Sequence, residues 1–223
     1  MRKGKSLPVQ ATSDAAPYLF PHARLLIFAK APIPGHCKTR LAGKLGSRGA
    51  ARLHAQLTRR TVNTALHAPL APVQMWCAPH TAHAFFRACR REYPLTLRRQ
   101  HGTDLGRRMQ HALTLALRDS QYAVLIGSDC PGLTPAVLKN AFVALHKGSD
   151  VVLVPALDGG YVLIGVRRAT ARLFQGISWG SDRVLAQTRR RLRQLHLSWV
   201  ELPALADLDT PADLMRMKRS AEK

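Results

Sequence analysis

Residues 25–41 read LLIFAKAPIPGHCKTRL. Leu25, Leu26, Ile27, Phe28 and Ala29 form a short apolar run of the length and type of a buried strand. The run breaks into Lys30-Ala31-Pro32-Ile33-Pro34-Gly35, and two prolines with a glycine neither continue a strand nor open a long helix. Lys38, Thr39 and Arg40 follow, then a long helix-compatible segment. A strand that ends in a stiffened loop carrying cations suits an anionic ligand, because ligands of open α/β sheets sit beyond the strand carboxyl ends. The plainer alternative, an ordinary strand-to-helix connection, leaves three cations around one turn without a reason. Lys38-Thr39 resembles the end of a P-loop, but Cys37 stands where that signature needs glycine, which argues against a Walker-type ATPase.

Working outward, helices are expected over residues 46–67, 81–92 (with Thr81 as its cap) and from Met109 onward. Short strands are expected over 73–77 and 95–99. In the segment between Gln100 and Met109, Gly102 and Gly106 flank Asp104. Asp104 suits a helix N-terminus by its charge alone, while the glycines suggest a backbone that approaches something closely. Residues 122–127, YAVLIG, are the clearest buried strand and deliver Ser128-Asp129-Cys130-Pro131-Gly132 at their carboxyl end. An acid held there by proline and glycine is a candidate metal ligand or catalytic carboxylate; the plainer alternative is an Asp bonding nearby loop amides. A strand over 150–155 leads to Asp158-Gly159-Gly160 and another strand over 161–166, either a simple hairpin or a loop opening on the Asp129 edge. Thr134-Pro135 opens a helix, Ser181 or Asp182 opens another reaching about residue 194, and a strand follows over 197–202. A short last helix starts at Pro211. Strands alternating with helices, without repeats, predict an α/β fold with a mostly parallel sheet.

The composition agrees with this and excludes other classes. At 223 residues and 46% hydrophobic content, the chain holds one sizeable domain. No apolar run approaches a membrane span, and the N-terminus lacks the apolar core of a secretory signal. Residues 1–22 read as an extended leader, 23–218 as a single domain and 219–223 as a tail. The four cysteines, Cys37, Cys77, Cys89 and Cys130, make no C-x-x-C pair or zinc spacing, so a reduced, cytoplasmic protein is expected. The formal charge of +21 raises nucleic-acid binding as a reading. Its arginines are scattered at helical spacing opposite apolar residues, as on a solvated face, and no nucleic-acid recognition signature accompanies them.

Five motifs in order then carry a resemblance: Lys30-Ala-Pro-Ile-Pro-Gly-x-x-Lys38-Thr-Arg40-Leu; Gln100-x-Gly-x-Asp104-Leu-Gly-x-Arg108-Met; Gly127-Ser-Asp129-Cys-Pro131; Asp158-Gly-Gly-Tyr161-x-Leu-Ile-Gly165; and Asp207-x-Asp209-Thr-Pro-x-Asp213-Leu. Across residues 24–217 the chain resembles the DUF2064 family, whose members are described as GT-A-fold glycosyltransferases associated with radical-SAM and selenium-linked gene sets or with arsenosugar biosynthesis. More distantly it is similar to molybdopterin guanylyltransferase and phospholactate guanylyltransferase.

The resemblance implies a GT-A, Rossmann-like, three-layer α/β/α fold. It implies a transferase that takes a sugar from a nucleotide-sugar donor to a small-molecule acceptor. The alternative within the fold is nucleotidyl transfer from an NTP to a phosphorylated small molecule; a third class is a non-catalytic polyanion-binding module. Lys30, Gly35, Lys38 and Arg40 would hold phosphates, with Lys38 and Arg40 also offsetting charge on the leaving group. Gln100, Gly102 and Asp104 would lie near the nucleotide. Asp129 would hold Mg²⁺ or Mn²⁺, and Asp209 would complete that site or cap its helix. Asp158 would act as general base or second metal contact, and Gly159, Gly160 and Tyr161 would shape the acceptor side. One departure stands out: Ser128-Asp129-Cys130 carries a single acid where many GT-A enzymes carry D-x-D.

Overall fold

The computed structural model describes residues 18–221. Seven strands make one sheet in the order β3-β2-β1-β4-β6-β5-β7. They are β1 (Ala23–Lys30), β2 (Val73–Ala78), β3 (Thr96–Arg99), β4 (Tyr122–Ile126), β5 (Val151–Pro155), β6 (Tyr161–Val166) and β7 (Trp199–Glu201). All pairings are parallel except those of β6, which runs antiparallel to both β4 and β5. This is the three-layer, mostly parallel α/β fold that the motif order implied. A strand flanked by two antiparallel joints leaves β5 parallel to β4. The carboxyl ends of β1 to β5 and β7 therefore share one edge, and the β5–β6 hairpin turn opens on it too.

The apolar run of β1 explains the layering. Successive side chains of a strand point to opposite faces. Leu25, Ile27 and Ala29 enter one core cluster, and Leu26 and Phe28 the other. Both faces are covered, so the strand reads as continuously apolar rather than alternating. One face carries α1 (Ala42–His67), α2 (Ala84–Glu92) and α4 (Pro135–His146); the other carries α3 (Leu105–Ala116), α5 (Ala171–Phe174) and α6 (Val184–Gln194). The last helix, α7 (Pro211–Ala221), packs Leu214 with Leu41, Ala50, Leu57 and Leu208 in a smaller third cluster.

Local differences from the sequence reading have local causes. The first long helix begins at Ala42, after a 3-10 turn at Thr39–Leu41, and is kinked at Gly46 (φ 68°, ψ 160°), so the expected segment 46–67 is its second, longer piece. Helix α2 is capped by His83, whose Nδ1 accepts from Phe85 N at 3.2 Å, and not by Thr81. Thr134 caps α4 as expected, with Pro135 in its first turn. Helix α6 starts at Val184, because residues 181–183 form a turn in which the Ser181 hydroxyl donates to Ser178 O. Of the expected leader, residues 1–17 lie outside the described residues. Its end is packed: Leu19 N and Phe20 N donate to Pro69 O and Leu70 O, and Phe20 is buried and stacked on Phe142. Among the described residues, no helix is long and apolar enough to cross a membrane.

Candidate active site

Lys38 sits in the left-handed backbone region (φ 49°, ψ 40°), a conformation that disfavours side chains. The turn aims its ammonium inward, and the side chain is only 2% exposed. Nζ donates to Leu208 O at 2.6 Å and lies 3.1 Å from Asp129 Oδ2 and 3.6 Å from Asp209 Oδ1. One cation thus joins the loops after β1, β4 and β7. The ammonium donates to the Leu208 carbonyl and is paired electrostatically with both carboxylates.

Asp129 is enclosed on its other oxygen as well. His54, buried on α1, lies with Nδ1 3.4 Å from Asp129 Oδ1 and Nε2 3.0 Å from Lys30 O. A carbonyl only accepts, so Nε2 bears the hydrogen and Nδ1 is turned to the acid. At 3.4 Å the pair is not an aligned hydrogen bond and becomes an ion pair when a second proton sits on Nδ1; neither atom has another partner among the described residues. Asp129 Oδ1 is buried although 42% of the side chain as a whole stays exposed. Burial raises the Asp129 carboxyl, but His54 and Lys38 outweigh it and hold the group below the ordinary carboxylate range.

Two further acids share the edge. Asp209 pairs with Arg40 through Oδ2 at 3.1 Å, and Arg40 keeps 67% of its side chain exposed. Asp209 does not cap its helix; that role falls to a reciprocal box in which the Thr210 hydroxyl accepts from Asp213 N while Asp213 Oδ2 accepts from Thr210 N at 2.7 Å. Asp207, two residues earlier, makes no hydrogen bond or ion pair among the described residues. Burial raises its carboxyl to about 7, with Asp129, Asp158 and Asp209 adding to the shift.

A cavity of about 510 Å³ opens beside these groups. Its lining includes the charged residues Arg40, Asp158, Asp207 and Asp209 and the apolar and aromatic residues Phe28, Met109, Tyr161 and Trp179. Trp179 reaches this place because Gly106 has no side chain: a Cβ there would lie 2.5 Å from the indole Nε1. Tyr161 meets Trp179 edge-on, and Phe174 stacks on the indole's other side. The Tyr161 phenol is buried without a well-formed hydrogen bond, and burial raises it.

The residues nominated from the sequence divide accordingly. Arg40, Asp158, Gly160, Tyr161 and Asp209 line the cavity. Lys38 and Asp129 are not in its lining; they form an ion pair, and Lys38 also lies 3.6 Å from Asp209 of the lining. Asp158 Oδ1 accepts from Gly160 N at 3.0 Å, the short turn expected of a hairpin. Gly159 (φ +90°) abuts the backbone of Asp182, where a Cβ would be 2.1 Å from the carbonyl oxygen. Lys30 and Gly35 are exposed on the first loop, outside the cavity wall. Gln100 donates to Trp76 O at 2.8 Å and Ala29 O at 3.3 Å, so its amide ties strand ends together. Asp104 is the α3 N-cap, accepting from Arg107 N at 2.8 Å. Gly102 (φ +143°) brings its backbone against Arg107 and Arg108. The close approaches that the two glycines of this segment signalled are thus made by protein.

The implied divalent cation does not fit the donors as they stand. Lys38 Nζ occupies the space between Asp129 and Asp209, the two residues expected to share the metal. Among the described residues, no group of three His, Cys, Asp or Glu side chains converges for a metal. Sequence reasoning missed His54, whose signal was a polar stripe, His54, Thr58 and Thr61, on the buried face of a helix. It placed Asp207 in a motif without a role, and it passed over Trp179.

With this geometry in view, comparison with known proteins is informative. A family model described as uncharacterized proteins conserved in bacteria, DUF2064, matches residues 61–181. The chain belongs to the DUF2064 family. A solved structure from Desulfovibrio desulfuricans G20, provisionally assigned as a nucleotide-diphospho-sugar transferase, is similar to this DUF2064 chain at 31% identity. The match covers 91% of this chain and 89% of that one, with a TM-score of 0.83. The 4-diphosphocytidyl-2C-methyl-D-erythritol synthase of Anaerococcus prevotii shares the fold at 8% identity, covering 91% and 99% of the chains with a TM-score of 0.61. A nucleotidyl transferase of Methanothermobacter thermautotrophicus does so at 16%, covering 89% and 97% with a TM-score of 0.57. No curated protein matches the sequence. The fold is therefore that of nucleotide-sugar transferases and nucleotidyltransferases.

Proposed function

We propose that this protein is a glycosyltransferase that takes a sugar from a nucleotide-sugar donor and passes it to a small-molecule acceptor. The observation that carries the reading is the cavity at the strand carboxyl edge, whose lining combines an exposed cation, acids and aromatic rings. Its volume suits a ligand of nucleotide-sugar size. The similarity to the Desulfovibrio protein over nine-tenths of the chain supports the donor class.

In this reading the exposed Arg40 guanidinium binds the donor diphosphate, and its planar fork has donors left beyond the one given to Asp209. Trp179, Tyr161 and Phe28 hold the flat or apolar parts of the donor and exclude water. The acceptor hydroxyl oxygen bonds to the anomeric carbon, the bond from that carbon to the diphosphate breaks, and a nucleoside diphosphate leaves with the electron pair. Asp158 takes the hydroxyl proton: one of its oxygens is held by Gly160 N, and the other makes no hydrogen bond among the described residues. Lys38 acts by position, holding Asp129 and Asp209 so that Arg40 is presented to the cavity. Four free thiols, all buried, suit a reduced cytoplasmic setting.

The test is a thermal-shift screen of nucleotide sugars, nucleoside diphosphates and NTPs at elevated salt, followed by product assay with the best binder. A ligand at about a hundred times its dissociation constant adds about 2.7 kcal/mol of stability. A shift with nucleotide sugars, lost in Arg40→Ala and followed by release of nucleoside diphosphate, upholds the reading. Pyrophosphate release from an NTP replaces it with nucleotidyl transfer. Binding only to long polyanions, abolished by moderate salt, replaces it with charge attraction alone.

A further inference from the structure

A second cavity, of about 500 Å³, lies on the α1/α7 side of the same edge. Its floor and walls include Pro131 and Gly132 after β4, Leu157 in the β5–β6 turn, and Met217 on α7. Leu157 is a large apolar side chain left 66% exposed although it adjoins Asp158, which lines the first cavity. Leu157 N donates to Leu205 O, and Ala156 bridges Leu205, so the turn is fixed in place and the exposure is built in. Leu157 is exposed within a concave wall that Pro131 and Met217 also line, which is where an apolar ligand surface would be met.

Asp207 belongs to the walls of both cavities. The segment 206–208 crosses the edge between them, its place set by Leu208 N donating to Asp129 O at 2.9 Å and by the Lys38 ammonium on Leu208 O. Among the carboxylates of the edge, Asp129 and Asp209 face cations and Asp158 accepts a backbone amide, while Asp207 has no partner among the described residues. Arg60, exposed on α1, also lines the second cavity. No hydrogen bond or ion pair engages its guanidinium among the described residues. The other charged pair on this wall, Asp213 and Arg216, bond to each other.

The geometry points to this second cavity as the acceptor subsite, taking a small hydroxyl-bearing molecule with an apolar body and an anionic group. The assignment rests on the transferase reading of the first cavity. The hydroxyl-bearing end lies against Asp207 at the partition, which sets the hydroxyl toward the donor cavity, where Asp158 takes its proton. The body lies against Leu157, Pro131 and Met217, and the anion meets Arg60. Acid, apolar surface and cation are all among the groups that line this cavity.

The experiment uses the full chain and 4-(hydroxymethyl)benzoate, a probe with all three features, measured by saturation-transfer NMR and calorimetry. Arg60→Glu and Leu157→Asp alter exposed side chains and leave the core intact, which their unfolding midpoints verify. Each is expected to weaken the probe about tenfold or more, the scale of losing a charge contact or an apolar wall. Nucleoside diphosphate binding, read by thermal shift on the same variants, stays at the wild-type level. Absence of saturable probe binding to the wild type, or binding unchanged in both variants, overturns the subsite. Loss of the probe in Trp179→Ala with retention in the other two also overturns it, because it puts the probe in the first cavity. Failure of every nucleotide to bind, with the probe still sensitive to Arg60 and Leu157, overturns the donor reading instead.

Discussion

Asp129 and Asp207 sit at the same sheet edge, are both half-buried, and have their carboxyls shifted in opposite directions. Asp129 follows β4 and faces Lys38 and His54; its carboxyl is held low. Asp207 follows β7, makes no hydrogen bond or ion pair among the described residues, and is raised to about 7 by burial among other acids. Desolvation penalises both charges; the difference is that Asp129 has the Lys38 ammonium against it, while at Asp207 burial and three neighbouring acids outweigh the more distant Lys38. The contrast separates a structural hub from a reactive-looking group without reference to any ligand.

The largest expected effect comes from breaking the hub. Lys38→Met leaves Asp129 and Asp209 facing each other without their shared cation. It should cost about 3 kcal/mol of stability, the lower end for a broken buried pair because water still reaches part of Asp129. Urea unfolding measures it, and a loss below about 1 kcal/mol, the range of an exposed pair, would deny that Lys38 is the keystone of the edge.

The second effect has the opposite sign. Because the folded-state value of Asp207 is raised, the stability linked to its proton is complete below about pH 4 and is lost as pH rises through about 7. Asp207→Asn should therefore stabilise the protein by about 2 kcal/mol at pH 8, allowing for partial solvent access, and leave it unchanged near pH 4. A stabilisation that did not fade on acidification would separate it from the proton and undo the contrast with Asp129.

Arg40→Ala tests whether the outermost cation of the edge serves a ligand. It should weaken nucleoside diphosphate binding about tenfold in calorimetry, as loss of a charge-assisted contact does. Stability should change little, since the pair with Asp209 is exposed on the Arg40 side. Equal binding by the variant would shift the phosphate role elsewhere on the first loop.

The smallest effect concerns an acid away from the hub. Asp104→Ala removes the α3 cap and should cost about 1 kcal/mol. The nucleotide-induced rise in melting temperature should persist undiminished. A selective loss of that rise would return Asp104 to the nucleotide site.

Much of the fold was legible along the chain. The uninterrupted apolar runs of β1 and β4 required cover on both faces, and alternating strands and helices then required crossovers on both sides of a parallel sheet. The loops at the carboxyl ends could be named as the site for the same reason, since proline, glycine and charge gather where strands end. Individual roles were less legible. Gln100, Gly102 and Asp104 carry residue types that suit either a ligand or their own backbone, and only the contacts showed the backbone to be the partner.

What the sequence determined by itself was therefore local and periodic: strand faces, helix starts such as Thr134-Pro135, and the loops that carry charge. What only the tertiary structure decided was pairing between distant segments. Lys38 and Asp209 are 171 positions apart in the chain, and no periodicity links them. Nor does any local pattern say that β6 runs antiparallel and so turns Asp158 onto the edge of Asp129. Which carboxylate holds a cation and which stands alone between two cavities depends on desolvation and distance, quantities that exist only once the chain has folded.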